Sequence, residues 1–341
     1  MRTKITLALV TIGMCATAFA GAPGNNMLVP TGTPVIAPDS TGAWSFGLEA
    51  LYMMSNTNFQ YASTGNTSLL APPAPEDVHN QSVTNDWNWG IEADVSYLFP
   101  GSSRDVSASY TYLDQDGDDS VDGAPLTIHG INRPTFTTFA NEATGDVDQT
   151  LNAATLTFGQ LLTIGNHLSL HPFGGVQFAD IDTTNKAAYY TEFPGPGDEF
   201  EIGNYKSTSD FVGVGPRAGI DTTVHLNDNF SVVGTFAGAL LVGSMSSEFD
   251  YNRGFIPNFE SDFDNDSYTA VVPELDAKVG LDYMHAFNSS TSMNIQLGYE
   301  FVDYFNAEEN DARNSWTTNS SNNSTDFSYN GPYLRLQVNI A

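Results

Sequence analysis

Long stretches of the chain alternate between apolar and polar residues. The clearest stretch, 87–113, contains two alternating arms around a turn at 100–103. In the first arm every second residue from Trp87 to Phe99 is apolar, and the residues between them up to Ser96 are polar or glycine. Because successive side chains of a β-strand point to opposite faces, this spacing predicts strands with one apolar and one polar face. The first arm is about twice as long as the five or six residues of an ordinary strand in a soluble sheet.

The same alternation recurs along the chain, and the connections are short and long in turn. The predicted strands are 44–53, 87–99, 104–113, 146–163, 168–181, 210–226, 230–243, 269–287, 292–304 and 333–341. The predicted long loops are 54–86, 115–145, 183–207, 244–268 and 306–331. Bacterial outer-membrane barrels have such connections, with short periplasmic turns, long extracellular loops and an even number of strands. The sequence therefore predicts an all-β fold, a transmembrane antiparallel up-and-down β-barrel of about ten strands over residues 44–341. Twelve strands is the alternative, because weak alternation within 115–145 is compatible with a further strand pair.

The chain before the first predicted strand has a different character. Residues 1–20 combine a positive start, a short apolar run and the ending Ala18-Phe19-Ala20, which is the pattern of a secretory signal peptide. Residues 21–43 are rich in proline, glycine and threonine and lack periodicity, so we interpret them as a flexible periplasmic segment. The single cysteine, Cys15, lies within the predicted signal peptide, and the rest of the chain has no thiol for a disulfide.

The chain is strongly acidic. Its 341 residues include 11 Lys and Arg against 40 Asp and Glu, which gives a formal net charge of −29 at pH 7. Removal of residues 1–20 takes away Arg2 and Lys4, so that nine cations face 40 carboxylates and the charge becomes −31. This balance excludes nucleic acid as a partner, because contact with phosphates needs positive charge.

A set of charged residues lies on the polar face of the predicted strands. They are predicted to line the barrel interior, because Arg or Lys facing lipid at the bilayer midplane costs about 2–4 kcal/mol. The residues are Glu49, Glu92, Asp94, Arg217, Asp221, Glu274, Asp276, Lys278, Asp282, Glu300 and Arg335. Eight carboxylates against three cations would make a water-filled pore prefer cations. The opposite interpretation is a closed structural barrel, because the interior of an eight-stranded barrel is already filled by side chains and ten strands add little space.

Carboxylates also alternate at the start of the predicted loop 115–145. Asp114, Asp116, Asp118 and Asp122 lie around Gly117, and such spacing can bring oxygen ligands around calcium. The segment lacks the terminal glutamate of an EF-hand, and a solvated acidic loop explains the same residues. Loop-bound calcium is the one cofactor that the sequence suggests. Divalent cations bound there would also bridge lipopolysaccharide.

No motif for a chemical reaction is present. The sequence contains neither Gly-x-Ser-x-Gly, nor a phosphate-binding loop, nor His-Glu-x-x-His. We therefore expect that the protein is not an enzyme.

Distinctive blocks of sequence span most of the chain after residue 43. They include FGLEALYM at 46–53, WGIEADVSYLFPGSSRDVSASYTYL at 89–113, LNAATLTFGQ at 151–160, HPFGGVQFADID at 171–182, FVGVGPRAGIDTTVHL at 211–226 and VPELDAKVGLDYMH at 272–285. In their order and spacing, these blocks resemble the Legionella-type family of pore-forming major outer-membrane proteins. The resemblance implies a porin in the outer membrane of a Gram-negative bacterium, surrounded by lipid and lipopolysaccharide.

Two functions follow as expectations. The first is passive, cation-preferring diffusion of small hydrophilic solutes or ions. The alternative is a non-conducting structural or adhesive barrel whose acidic loops meet host or surface ligands. The sequence leaves open whether the barrel forms a homo-oligomer.

Overall fold

The structure, a computed structural model, describes residues 42–57, 59–65, 78–128, 140–165, 167–192, 199–253, 259–309 and 324–341. This part of the chain forms one antiparallel sheet of 13 strands. The strands are β1 (Ala43–Asn56), β2 (Gln60–Gly65), β3 (Val78–Ser82), β4 (Asn88–Leu98), β5 (Arg104–Ile128), β6 (Ala140–Gln160), β7 (Leu162–Ile164), β8 (Leu168–Glu192), β9 (Glu199–His225), β10 (Phe230–Arg253), β11 (Phe259–Asn288), β12 (Thr291–Glu309) and β13 (Ser324–Ile340). Within the described ranges, no helix is long and apolar enough to cross a membrane. The predicted signal peptide, and the predicted N-terminal segment up to residue 41, lie outside the described residues, and β1 begins one residue before the predicted first strand.

Ten of the strands close a ring. Pairing runs from β1 through β4, β5, β6, β8, β9, β10, β11 and β12 to β13. β13 then pairs back with β1, so that Trp44 lies opposite Tyr97 on one side and Ile340 on the other. β2 and β3 form a hairpin attached to β5, and β7 pairs with β8 after a break at Leu161. The predicted antiparallel barrel of about ten strands is confirmed.

The short turns lie at one end of the ring. They include 99–103, residues 165 and 167, 226–229 and 289–290, and the first and last ring strands begin and end beside them. We call this end the short-turn end and the opposite one the long-connection end. In bacterial barrels the short turns face the periplasm.

Side chains of the membrane-spanning part alternate as the sequence predicts. Trp44, Phe46 and Leu48 are 49%, 50% and 52% exposed, whereas Ser45 and Glu49 are 3% and 2% exposed. The exposed apolar side chains can face lipid. Because the ring is closed, the backbone N–H and C=O groups of every ring strand are hydrogen-bonded to a neighbouring strand, as they must be where no water is present.

Aromatic residues gather at both margins of this lipid-facing band. At the short-turn end Trp44 packs on Tyr97 with ring centroids 4.7 Å apart. At the other margin Tyr52 packs on Trp89 with ring centroids 4.8 Å apart. These contacts form the two aromatic girdles that place a barrel between the membrane interfaces.

The lipid-facing band yields a first prediction. Phe236 lies near the middle of the lipid-facing part of β10, residues 230–243, and is 59% exposed. Phe236→Arg should lower the free energy of unfolding by about 2–4 kcal/mol, because it places a cation near the bilayer midplane. Ser244→Arg, on the same face at the margin of the band, should cost at most about 1 kcal/mol. Urea unfolding in lipid vesicles measures both variants, and equal costs would contradict the assigned membrane position.

The strands extend far beyond the band at the long-connection end. β9 contains 27 residues, although about 9–11 suffice for a strand to cross a membrane. We call these extensions the rim. Strand structure occupies 60–65, 78–82, 115–128, 140–145, 183–192, 199–207, 244–253, 259–268, 306–309 and 324–331. The prediction that these segments are loops was therefore wrong, and 66–77, 129–139, 193–198, 254–258 and 310–323 lie outside the described residues.

The rim was missed because the apolar residues change sides along each strand. In β8 the outward residues Val176 and Phe178 are apolar, whereas the outward residue Lys186 is charged. In the same upper part, Ala187 and Tyr189 face inward and are buried. The outward face of the strand is continuous, but its chemistry changes where the strand leaves the lipid. Because the apolar residues move from the outward to the inward face at this point, the alternation is interrupted. The sequence pattern therefore predicts that the strand ends there.

A layer of apolar side chains fills the barrel across its middle. We call it the apolar layer, and none of its buried members is more than 7% exposed. Its members are Leu51, Met53, Leu113, Leu151, Ala153, Ala179, Ile181, Phe211, Leu241, Met245, Val272, Val302, Tyr304, Ala307, Phe327, Tyr329 and Tyr333. Every ring strand except β4 contributes to it.

A second apolar cluster, the rim core, fills the rim above this layer. It consists of Phe59, Tyr61, Ala62, Val83, Ala140, Ala143, Val147, Ala187, Tyr189, Ile202, Tyr205 and Phe249. The connection between β1 and β4 folds inward to supply part of it. Asn85 in that connection lies so close to Gly117 that a Cβ on the glycine would come within 2.7 Å of the asparagine Cα. The connection therefore fills the interior of the rim.

Candidate functional site

A polar chamber of about 280 Å³ lies between the short-turn end and the apolar layer. Four cationic or basic side chains line it, namely Arg217, Lys278, Arg335 and His171. Eight carboxylates line it as well: Glu49, Glu92, Asp94, Asp105, Asp221, Glu274, Asp276 and Glu300. Ten of the 11 residues that the sequence predicted to face inward are among these lining residues.

The eleventh predicted residue, Asp282, lies elsewhere in the interior. It is 1% exposed, and Asn294 Nδ2 donates to its two carboxylate oxygens at 3.1 and 2.9 Å. Asn294 belongs to a polar network with Asn339 and Ser45 near the short-turn end. The side chain of Asp282 is therefore occupied by structural hydrogen bonds.

Lys278 connects strands across the chamber. It projects from β11, and its Nζ lies 3.1 Å from Glu49, 3.3 Å from Glu92 and 3.2 Å from Glu300. β13 and β12 separate the glutamates of β1 and β4 from β11 along the ring, so this ammonium group links distant parts of the wall. The Tyr333 ring lies under the same Nζ, with its centroid 5.6 Å away. The lysine is held by three carboxylates and one aromatic face.

The two arginines pair with carboxylates in a similar way. Arg217 on β9 donates to Glu274 at 2.7 Å and to Asp276, both on β11, and also to Gln177 at 2.9 Å. Arg335 on β13 pairs with Asp94 on β4. Each ion pair joins two strands that have another strand between them in the ring, so the pairs hold the barrel wall together across its interior.

His171 and Asp105 line the chamber but were missed by the sequence analysis. The Nε2 of His171 lies 2.7 Å from Asp105 and its Nδ1 lies 2.9 Å from Asp221. Both ring nitrogens donate only when the imidazole is protonated, so this geometry holds a cation. Asp105 lies on the same face as the inward Ser107, and His171 on the same face as the inward Gln177. Their position on the inward face was the signal that the sequence offered. Both residues lie close after a short turn, where too few residues alternate to define a face.

Carboxylates outnumber cations in the chamber by two to one when His171 is protonated. Each cation is shared by neighbouring carboxylates, as described above. Among the residues that line the chamber, four carboxylate oxygens are buried without a hydrogen-bond partner: Glu49 Oε2, Glu274 Oε2, Asp276 Oδ1 and Glu300 Oε2. Burying such an oxygen is costly unless something compensates its charge.

The acidic segment predicted to bind calcium is not a loop. Asp114, Asp116, Asp118 and Asp122 lie in β5, and all four point outward and are exposed. Asp116 is opposite Asp148 in the sheet, and Asn88 donates to it at 2.6 Å. In an extended strand, residues two apart are separated by about 6.6–6.8 Å, so these carboxylates lie in a row and do not surround a point. Among the described residues, no group of three or more His, Cys, Asp or Glu is arranged to hold a metal ion.

A further buried carboxylate lies in the rim. Glu308 accepts hydrogen bonds from Gln149 at 2.5 Å, Thr183 at 2.8 Å and Thr325 at 3.2 Å. Next to it, the backbone N–H of Glu309 donates to Ser209 at 2.8 Å. The end of β12 thus crosses the interior and is attached to strands β6, β8 and β9.

Glu308 should make the stability of the rim depend on pH. Burial raises the pKa of Glu308 from its ordinary value of 4.5 to about 7, against the effect of the hydrogen bonds that it accepts. Between these pH values the folded chain binds more protons at Glu308 than the unfolded chain does. Raising the pH from about 4.5 to 7 should therefore lower the free energy of unfolding, and the decrease should level off above pH 7. Urea unfolding over this range should show the dependence in the wild type and lose this contribution in Glu308→Gln. Identical pH profiles for the two proteins would contradict the assignment.

Comparison with known proteins identifies the family. The chain matches the family described as Legionella pneumophila major outer membrane protein precursor over residues 36–340. The protein belongs to the Legionella major outer membrane protein family. A protein of this family with a closed ring of ten strands is an outer-membrane β-barrel, and its location is the outer membrane. A search of curated proteins finds no match.

Solved structures with a similar arrangement are distant. Outer membrane protease OmpT from Escherichia coli has a TM-score of 0.41 and 12% identity, with 91% of this chain and 99% of that chain covered. The Pseudomonas putida toluene transporter TodX has a TM-score of 0.30 and 6% identity, with 89% and 90% covered. Ail, the attachment invasion locus protein of Yersinia pestis, has a TM-score of 0.20 and 10% identity, with 88% and 99% covered. At such TM-scores we transfer neither substrate nor mechanism from these proteins.

Proposed function

We propose that this member of the Legionella major outer membrane protein family is a closed barrel that anchors a rigid rim at the cell surface. The observation that carries this proposal is the apolar layer. A water-filled path through that level would wet the side chains beside it, yet Leu51, Leu113 and Phe211 are each 0% exposed. Tight packing of aliphatic and aromatic side chains is typical of a protein core, which opens only by breaking many contacts.

The rim supports a role in presentation. Its strands are paired by backbone hydrogen bonds and packed on the rim core, so the surface that it offers has a fixed shape. Its outward side carries rows of carboxylates, for example Asp146 and Asp148 opposite Asp118 and Asp116. Such a surface suits cationic groups on other cells or host molecules, and divalent cations that bridge it to lipopolysaccharide. We propose these partners together with the function, and we also propose that the protein catalyses no chemical reaction.

A porin is the second candidate, and the polar chamber is the observation that favours it. Its excess of carboxylates would make conducted ions predominantly cations. Conduction would require the apolar layer to move aside, because the layer lies between the chamber and the rim. The porin would then be a gated one, open only in another conformation.

Single-channel recording separates the two candidates. Refolded protein in a planar bilayer under a potassium chloride gradient should give no stable conductance steps. Folding is checked independently by the heat-dependent shift of gel mobility that closed barrels show. Stable conductance steps that prefer cations would contradict the closed barrel and support the porin. The preference should then be weaker in Asp276→Asn. Asp228→Asn, in a short turn outside the chamber, is the control.

A further inference from the structure

The end of β12 leaves the barrel wall and enters the interior of the rim. The ladder between β12 and β13 shifts register between Tyr304 and Glu308. Within that break, Asn306 has a φ of 56°, a left-handed conformation that asparagine adopts more readily than most residues. The backbone N–H of Asn306 donates to Asp326 at 2.7 Å, which holds the bend. Beyond the bend residues 307–309 are all buried, and we call them the crossbar.

Glu308 attaches the crossbar to the far side of the ring. Gln149 of β6 and Thr183 of β8 donate to its carboxylate at 2.5 and 2.8 Å. At least three ring strands separate β12 from β6 and from β8 in either direction. The Oε1 of Gln149 also accepts from Asn85 in the folded-in connection and from Ser55 of β1, at 2.7 Å each. One buried hydrogen-bond network therefore holds both the crossbar and the connection from β1 to β4.

The surroundings of Glu308 favour a neutral carboxyl group over a charged one. The three hydrogen-bond donors on β6, β8 and β13 are uncharged amide and hydroxyl groups. In the described part of the chain, the titratable groups beside Glu308 are Glu309 on its own strand and Asp326 on β13, and both are acids. A carboxylate that is buried without a cation beside it is costly, and the charge of Asp326 adds to the cost.

We propose that the crossbar is a pH-dependent latch inside the rim, which protonated Glu308 keeps closed and ionised Glu308 releases. Asn306 is the hinge, because the ladder is already broken there and the backbone already bends. When the crossbar leaves β6 and β8, the carboxylate reaches water and the folded-in connection loses part of its support. The ladders between the other rim strands stay paired, so the outer surface of the rim keeps its shape.

The direction of the pH dependence follows from the two positions of Glu308. In the closed position burial raises its pKa to about 7, whereas in water the pKa returns toward its ordinary value of 4.5. The closed position therefore binds the proton more tightly. Raising the pH from about 4.5 to 7 favours release of the crossbar, and a further rise adds nothing.

A thiol placed under the crossbar measures its release. Ser209 of β9 accepts the backbone N–H of Glu309 at 2.8 Å and is 4% exposed. Ser209→Cys should therefore react with a dipyridyl disulfide only when the crossbar has moved. The full-length refolded protein also carries Cys15→Ser, because Cys15 is the single cysteine of the chain. Reaction rates are measured in detergent micelles on both sides of neutral pH, and gel mobility confirms folding.

Two references separate release of the crossbar from the general effect of pH on thiols, which react faster as they ionise. The first is the same thiol combined with Glu308→Gln, in which residue 308 cannot ionise. Relative to that protein, the rate at Ser209→Cys should rise about tenfold per pH unit and level off near neutral pH. The second is Ala143→Cys, a buried position of the rim core on β6, which should show no such rise.

The outcomes decide for or against the latch. A relative rate at Ser209→Cys that does not change with pH would overturn it. An equal rise at Ala143→Cys would also overturn it, because the whole rim would then be opening. If Glu308→Gln fails to fold, the ratio of the two thiol rates in the chain with Glu308 gives the same decision. The latch goes beyond the closed-barrel proposal, and labelling in micelles needs no conducting path, so failure here differs from failure of that proposal.

Discussion

Lys278→Met should lower the free energy of unfolding by about 3–5 kcal/mol, among the largest effects expected for a single substitution in this barrel. The lysine Nζ is shared by Glu49, Glu92 and Glu300, and the side chains of Glu49 and Glu300 are only 2–3% exposed. Methionine keeps most of the hydrocarbon part but leaves three carboxylates without their common cation. A buried charge without a partner is far more costly than the loss of one favourable contact. Urea unfolding of the refolded barrel measures the change.

The control for Lys278 is a lysine on the rim. Lys186 Nζ lies 2.8 Å from Asp148, but the two side chains are 48% and 55% exposed. Water already solvates both charges, so Lys186→Met should change the free energy of unfolding by at most about 1 kcal/mol. If the two substitutions cost the same, the buried network does not depend on Lys278 in the way that its geometry indicates.

Phe211→Ala should cost about 3–5 kcal/mol, because it removes a ring from a closely packed core. Phe211 lies in the apolar layer, is 0% exposed and points inward from β9. The cavity left by the ring cannot be filled by lipid, since the barrel wall separates it from the membrane. The stability of the barrel therefore depends on its interior as well as on its wall.

Phe236 on the neighbouring strand provides the matched comparison. It is the same residue type in the same ladder of strands, but it faces lipid and is 59% exposed. Phe236→Ala leaves a surface that lipid chains cover, so its cost should be clearly smaller than that of Phe211→Ala. Paired measurements by urea unfolding in lipid vesicles would contradict a packed apolar layer if the two costs were equal.

Alternation along the chain was sufficient to predict the barrel and most of its charged interior. Residues such as Glu92 and Asp94 alternate with Ile91 and Ala93, and a strand must place the two sets on opposite faces. Since one face meets lipid, the charged face had to point inward. Ten of the 11 residues chosen in this way line the chamber. Their role in conduction or binding stays a prediction.

The rim and the filling of the interior were not predictable from alternation. Asp114 and Asp116 were assigned to an acidic loop because no apolar face accompanied them, yet they lie on a strand whose inward side packs on the connection from β1 to β4. That packing joins parts of the chain that are distant in sequence. Likewise, Glu308 gains its pKa of about 7 from burial among side chains of other strands, which no local pattern records.

The sequence by itself determined the kind of fold and the side of each predicted strand that faces lipid. These properties follow from local rules, because side chains alternate at every residue and a membrane rejects charge. Only the tertiary structure decided which carboxylate pairs with which cation, and that a layer of buried apolar side chains lies inside the barrel. Lys278 and Glu49 are 229 residues apart, and their contact depends on the diameter and curvature of the closed ring. Whether the interior is a pore or a core depends on how side chains from nearly all the strands fill it together.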